Sequence, residues 1–225
     1  MEELTLKSFE EAAEKVKEAT LPTNLVYSEY FSSQTGNRVY LKPENMQYTG
    51  AYKVRGAYYK ISTMSEEARQ KGLITASAGN HAQGVAFAAK KYGVKATVVM
   101  PTTTPLIKVN RTKGYGAEVI LYGNVYDEAC EYAMKLAKEK GLTFVHPFDD
   151  LDVATGQGSI AMRLLKSFQL LIIFLFLLVV ADLQQVYLHL QNSLILISRL
   201  LVLSLPVLTV FRNLLRLERL LLFLL

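Results

Sequence analysis

The stretch Leu73–Met100, LITASAGNHAQGVAFAAKKYGVKATVVM, encodes a strand, a loop of small residues, a helix and a second strand in unbroken order. Leu73–Ala76 and Ala96–Met100 are short apolar runs of strand length, and His81–Tyr92 between them is long enough and Ala-rich enough for a helix. The alternation continues outward. Pro105–Gly114 is helical with proline at its start, Glu118–Tyr122 strand-like, and Val125–Lys140 helical, with Val125, Ala129, Tyr132, Ala133 and Leu136 on one face and Gly141 closing it. Leu142–Val145 is one more strand. Strands separated by helices of this length predict right-handed βαβ units and a parallel sheet covered on both faces. On the N-terminal side, Ser8-Phe9-Glu10-Glu11 has the form of a capping box and predicts a helix to about Ala19, ended by Leu21-Pro22-Thr23. Arg38–Leu41 is a strand ahead of Pro43.

Composition narrows the classes. Residues 163–225 carry six basic and two acidic side chains, leaving 19 and 18 of the chain's 25 and 20 in residues 1–162. The net charge of +5 is therefore mostly a tail property, and the mixed signs elsewhere give no stripe for nucleic acid. The single cysteine, Cys130, excludes an internal disulfide framework and a cysteine-rich zinc site, and no metal is expected; its helical setting makes it a core residue. MEELTLKSFEEAAEK lacks the apolar region of a secretory signal, so a cytoplasmic start is expected.

Two stretches carry chemistry. Ala76–Gly84 (ASAGNHAQG) follows a strand and opens a helix, where small residues bring backbone amides to an anion at the positive end of the helix. An ordinary βα loop fits the same residues. Glu44–Ser62 (ENMQYTGAYKVRGAYYKIS) sets Lys53 among glycines and among Tyr48, Tyr52, Tyr58 and Tyr59, aromatics whose spacing is that of a helix core. Taken alone, Lys53 is as well read as a solvated surface charge.

Together they resemble the threonine/serine dehydratase family, pyridoxal-phosphate (PLP) enzymes with the tryptophan-synthase-β type of fold, fold type II. The family's lysine signature stands at Glu44-Asn45 and Thr49-Gly50-Ala51-Tyr52-Lys53-Val54-Arg55-Gly56-Ala57, and its substrate loop at Ser77–Ala86. Val99-Met100-Pro101, Gly116–Val119, His146–Asp149 and Gly156–Ala161 match further, in order, so the resemblance covers about residues 7–162. It implies an α/β fold of parallel sheets flanked by helices. Residues 1–73 would begin a large PLP domain, 74–150 form a small α/β domain, and 151–162 return to the large one. It implies that Lys53 joins the cofactor aldehyde and, once released, removes the substrate's α-proton. Tyr52 would pack on the pyridine ring, where relatives usually carry Phe, and Asn80 would bond the cofactor's 3′-oxygen. Ser77, Ala78, Gly79, Asn80 and His81 would hold the substrate carboxylate. The reaction implied is deamination of L-threonine, and of L-serine, in isoleucine biosynthesis or threonine catabolism, by a homo-oligomer. Ala78 favours elimination, because similar serine racemases carry Ser there as a second-face acid. A β-replacement enzyme of the cysteine-synthase kind is the alternative within the fold, although its signature usually has Lys-Asp-Arg.

After Met162 the resemblance stops. Relatives continue to a Gly-Gly-Gly-Gly-Leu loop that cradles the cofactor phosphate through backbone amides; here Val179-Val180-Ala181-Asp182 stands in its place. Codons for Gly-Gly-Gly-Gly-Leu-Ala-Ala-Gly, read one nucleotide later, give Val-Val-Ala-Asp-Leu-Gln-Gln-Val, the sequence of Val179–Val186. Arg163–Gln169 arises in the same way from Glu-Ile-Ile-Lys-Glu-Phe-Pro. Residues 163–225 thus have the form of an out-of-frame tail, with the large domain incomplete and the chain as written inactive. The apolar runs Leu170–Ala181 and Leu194–Phe211 raise a non-catalytic, membrane-associated reading, against which the first is short of the roughly 20 residues a span needs and the second contains Arg199 and Pro206. Leucines on every face point instead to aggregation.

Overall fold

The computed structural model describes residues 5–36, 38–167, 173–177, 199–203 and 220–224. In chain order the elements are α1 (Leu6–Lys15), β1 (Val26–Tyr27), α2 (Glu29–Thr35), β2 (Arg38–Lys42), α3 (Val54–Thr63), α4 (Glu66–Gln70), β3 (Leu73–Ala76), α5 (Asn80–Tyr92), β4 (Ala96–Met100), α6 (Leu106–Gly114), β5 (Glu118–Leu121), α7 (Tyr126–Lys140), β6 (Thr143–Phe144), α8 (Leu151–Ser167), β7 (Ile173–Leu177), β8 (Arg199–Leu203) and β9 (Leu220–Leu224).

Four strands form the expected parallel sheet in the order β5-β4-β3-β6, with Leu73 opposite Ala96 on one side and Thr143 on the other. β3 is buried along its whole length, as a central parallel strand should be. Helices cover both faces. Ile74, Ala76 and Val99 pack on Ala129, Ala133 and Leu136 of α7, while Leu73, Val98 and Met100 join a core with Ala82, Val85 and Ala89 of α5 and Ala57 and Ile61 of α3. Cys130 lies half-buried beside the α7 cluster.

The N-terminal cap differs from the sequence expectation. Thr5, not Ser8, caps α1: Ser8 N donates to Thr5 Oγ1 at 3.1 Å and Thr5 N to Ser8 Oγ at 3.0 Å, a reciprocal box in which Ser8 takes the role expected of glutamate. The helix thereby gains a turn that places Phe9 and Ala13 against Ala154, Ala161 and Met162 of α8.

A second sheet has the order β1-β2-β9-β7-β8, parallel except for the β1–β2 pair. β7, β8 and β9 fall in the apolar tail, for which aggregation was the expectation. Within it, five-residue apolar runs pair in register, Arg38 opposite Leu220 and Ile173 opposite Arg199, because a short unbroken apolar run is also what a parallel strand requires. The rest of Leu170–Ala181 and Leu194–Phe211, and all of Val179–Asp182, lie outside the described residues. Among the described residues no helix is long and apolar enough to cross a membrane.

The two layers are joined where α3 crosses α8. A methyl group on Gly156 would lie 2.7 Å from Gly56 Cα and 2.8 Å from the Arg55 carbonyl, and one on Gly56 would lie 2.6 Å from the Val153 carbonyl. Two glycines therefore let the helices meet backbone to backbone, and Gly56 N donates to Gln157 Oε1 at 3.1 Å. Gly156→Ala is expected to force the helices apart and destabilise the protein by about 1–3 kcal/mol, the usual range for overpacking, read as a lower urea midpoint; an unchanged midpoint would show that the crossing is slack.

Candidate active site

Lys53 ends the turn that precedes α3, and its position is set by the charges around that turn. Arg55, fully buried, donates from Nε to Glu44 Oε2 at 2.8 Å and from Nη2 to Glu44 Oε1 at 2.9 Å. Glu44, also fully buried, accepts further bonds from Thr23 Oγ1 at 2.7 Å and Gln47 Nε2 at 3.1 Å. Burial pushes the Glu44 carboxyl upward, but the Arg55 charge and hydrogen bonds outweigh it and hold the group below the usual carboxylate range. Lys42 lies 3.4 Å from Glu44, with its ammonium bonded to the Pro22 and Thr23 carbonyls; burial lowers it to about 8 against the opposing pull of Glu44. Arg55 Nη1 reaches Ser159 Oγ at 3.3 Å, so α8 is tied to the same cluster.

From this anchored turn Lys53 points into the protein. Its side chain is 6 % exposed, and Nζ donates to the Pro147 carbonyl at 2.9 Å, 94 residues along the chain. Tyr52 is half-buried, its ring centroid 5.8 Å from Nζ. Of the other aromatics in the stretch, Tyr58 is core and Tyr59 half-buried, while Tyr48 is 53 % exposed and stacks on Phe87 at 5.5 Å. Helical spacing does not make all four core residues, because Tyr48 precedes the helix.

The segments that follow the carboxyl ends of β3 and β6 lie beside Lys53, the usual place for a ligand in an open parallel sheet. Ser77 N donates to the Val99 carbonyl at 3.1 Å and Ser77 Oγ accepts from Gly79 N at 3.2 Å. Ala78 and Asn80 are exposed, and Gly79 is the N-cap of α5. The second turn of α5 packs on the Lys53 backbone: a methyl on Gly84 would lie 3.1 Å from the Lys53 carbonyl. His81, 3 % exposed, has Nε2 3.4 Å from the Val145 carbonyl, which requires the Nε2–H tautomer and leaves Nδ1 buried without a partner. Burial, with the nearby Lys53 charge, pushes His81 down to about 3, against the Val145 bond. Val145 O also accepts from Thr75 Oγ1 at 2.7 Å, which fixes the end of β6 just before Pro147.

The structure thus brings Lys53, Tyr52 and His81 together and places Ser77–Asn80 on the adjoining helix start. The sequence reading missed the Pro147 carbonyl, for which no residue-type signal exists, and gave Glu44 and Arg55 no role, although two opposite charges flanking an otherwise small and aromatic stretch are a signal for a buried pair. A buried primary amine beside a helix start that no side chain caps fits a ligand with an aldehyde and an anionic group, and the orphaned His81 Nδ1 offers an acceptor to a donor such as the ammonium or hydroxyl of an amino acid. These residues suit the aldehyde and carboxylate ends of a PLP–amino-acid pair.

A model of the family described as pyridoxal-phosphate dependent enzyme matches residues 16–177. The chain is 48% identical over 163 residues to an L-threonine ammonia-lyase of Thermotoga maritima, covering 72% of this chain and 41% of that protein. Among solved structures it resembles the processed form of threonine deaminase isoform 2 from Solanum lycopersicum (TM-score 0.81, 30% identity, 97% of this chain and 62% of that one) and a pyridoxal 5'-phosphate-dependent aspartate racemase (TM-score 0.82, 31% identity, 90% and 63%). The chain spans less than half the length of the Thermotoga relative.

Because His81 binds no proton in the folded state until about pH 3 but binds one near 6.5 when unfolded, the unfolded state holds the extra proton between these values. Stability is expected to fall as pH drops from 6.5 toward 3, by about 1.4 kcal/mol per pH unit for this one group. Urea melts of wild type and His81→Gln compared across that window should show the shallower slope in the variant; parallel slopes would mean that His81 titrates normally.

Proposed function

Because the chain belongs to the family of pyridoxal-phosphate-dependent enzymes, we propose that the whole protein deaminates L-threonine, and L-serine with it, to 2-oxobutyrate or pyruvate and ammonia. The observation that carries this reading is the buried Lys53 amine beside the uncapped start of α5. Threonine chemistry is supported by the names of the Thermotoga and tomato relatives.

When bound, PLP supplies an electron sink for the electron pair left at the substrate's Cα. The remaining work falls to this chain's side chains. Lys53 Nζ takes the α-proton, and its burial keeps water from competing for the base. Ser77 and the first amides of α5 hold the carboxylate, which fixes the Cα–H bond toward Lys53. His81 is neutral at physiological pH and orients rather than protonates. Ala78 brings a methyl group where a second-face acid would have to stand, which supports elimination over racemisation despite the fold shared with an aspartate racemase. Tyr52 is assigned to the pyridine ring and Asn80, first residue of α5, to the cofactor's 3′-oxygen.

The two sheets support a division into a small domain over residues 74–150 and a large one that begins with residues 1–73 and resumes at 151–162. We infer in addition that residues 163–225 are read out of frame, supported by the codon arithmetic at Val179–Val186 and Arg163–Gln169, and that the enzyme is cytoplasmic. Resequencing the codons around Met162 and Arg163 tests the frame; an unbroken frame overturns that inference.

Purified 225-residue chain incubated with PLP and threonine is expected to give neither a stable visible absorbance band nor 2-oxobutyrate, since Val179–Asp182 replace the phosphate-binding glycines. The frame-restored protein is expected to give both, and its Lys53→Ala variant to lose the band together with at least about 10³-fold in turnover. Turnover by the 225-residue chain, or a band that survives Lys53→Ala, would overturn this assignment.

A further inference from the structure

α5 is a 13-residue helix whose N-cap, Gly79, supplies no side chain, and no acidic residue stands in its first turn. Its first amides therefore present uncompensated partial positive charge beyond Gly79. A lysine lies there. A methyl group built on Gly79 would sit 3.0 Å from Lys108 Nζ, 3.1 Å from Cδ and 3.4 Å from Cε, so the end of the Lys108 side chain is laid across the open face of that glycine. A Cβ here would make the lysine end give way by a few tenths of an ångström.

Lys108 is itself oddly placed for a structural charge. It stands in the first turn of α6, where an ammonium opposes the helix dipole, and that turn too holds no acidic residue. Its side chain is exposed, and among the described residues no carboxylate pairs with it. One helix start and an ammonium thus meet at Gly79 with no carboxylate among the described residues paired to them, which is a setting for an anion. A third observation marks the same turn as the seat of a ligand. His81, two residues beyond Gly79, is buried with its acceptor Nδ1 unpartnered, which suits a donor such as the ammonium or hydroxyl of an amino acid, and α5 packs against the Lys53 backbone at Gly84.

We propose that Lys108 is a substrate-binding residue whose ammonium closes on the α-carboxylate of the amino acid held at Ser77–His81. The proposal rests on the function proposed above and adds the full positive charge that the loop Ser77–His81 lacks. It makes the site selective for a carboxylate over an amide or ester, because only the anion gains from both the ammonium and the helix start.

The test needs no cofactor and uses the full 225-residue chain. Acetate and, as neutral control, acetamide are titrated while the backbone amide resonances of Gly79, Asn80 and His81 are followed. Acetate is expected to shift them saturably, acetamide not; Lys108→Ala should weaken acetate about tenfold, the scale of one charge-assisted hydrogen bond, and Lys108→Arg should restore most of it. Because Lys108 is exposed, thermal unfolding of the variants serves as the folding control, with unchanged midpoints expected. Equal acetate affinity in wild type and Lys108→Ala, or no acetate response in wild type, overturns the proposal. The outcomes separate from those of the function itself: a frame-restored protein that fails to take up PLP overturns the dehydratase assignment and leaves the acetate result standing, whereas equal acetate affinities remove Lys108 alone.

Discussion

The bidentate contact between Arg55 and Glu44 is the constraint on which the rest of the structure depends. Both side chains are fully buried, and neither charge is tolerable there without the other. The pair fixes the turn Glu44–Met46 relative to the start of α3, and through Ser159 it fixes α8 against both. Lys53 is two residues from Arg55 and inherits its position. A small shift of the ion pair would carry the amine away from the Pro147 carbonyl, so the electrostatics of a residue pair that touches no substrate sets the aim of the residue assigned to do so.

Three lysines illustrate how environment divides one side-chain type into different tasks. Lys42 is held by two backbone carbonyls and Glu44, and burial lowers it to about 8; its partners are already in place, so it is a strut. Lys53 is nearly as buried, and its ammonium reaches the Pro147 carbonyl 94 residues along the chain. Lys108 is exposed and lays its side-chain end over Gly79, the N-cap of α5. By type and local sequence alone the three are indistinguishable.

Much of the small sheet was legible because its signals are local. β3 and β4 fall on the residues expected, α5 begins one residue earlier, and Gly141 ends α7 in the left-handed conformation that glycine adopts without strain. The identity of the site was legible only as a resemblance, since Lys53 read by itself is an ordinary lysine. What sequence could not give were the contacts between distant segments: Pro147 with Lys53, Lys108 with Gly79, and the pairing of apolar tail strands with β2. Thr5 was missed for a different reason: its partner three residues on is Ser8 rather than the Glu or Gln of the usual capping box, so the pair carries no such signal.

The distance along the chain between Lys53 and Pro147 has a consequence for biogenesis. On the ribosome, residues 53–63 emerge long before β6 exists, so the amine is without its Pro147 partner until a loop of 94 residues closes. β6 is an edge strand held by two paired residues, Leu73 with Thr143 and Ile74 with Phe144. The strand with the fewest pairs in the sheet is therefore the one that leads to the carbonyl that Lys53 reaches, and a nascent chain halted before it lacks that contact.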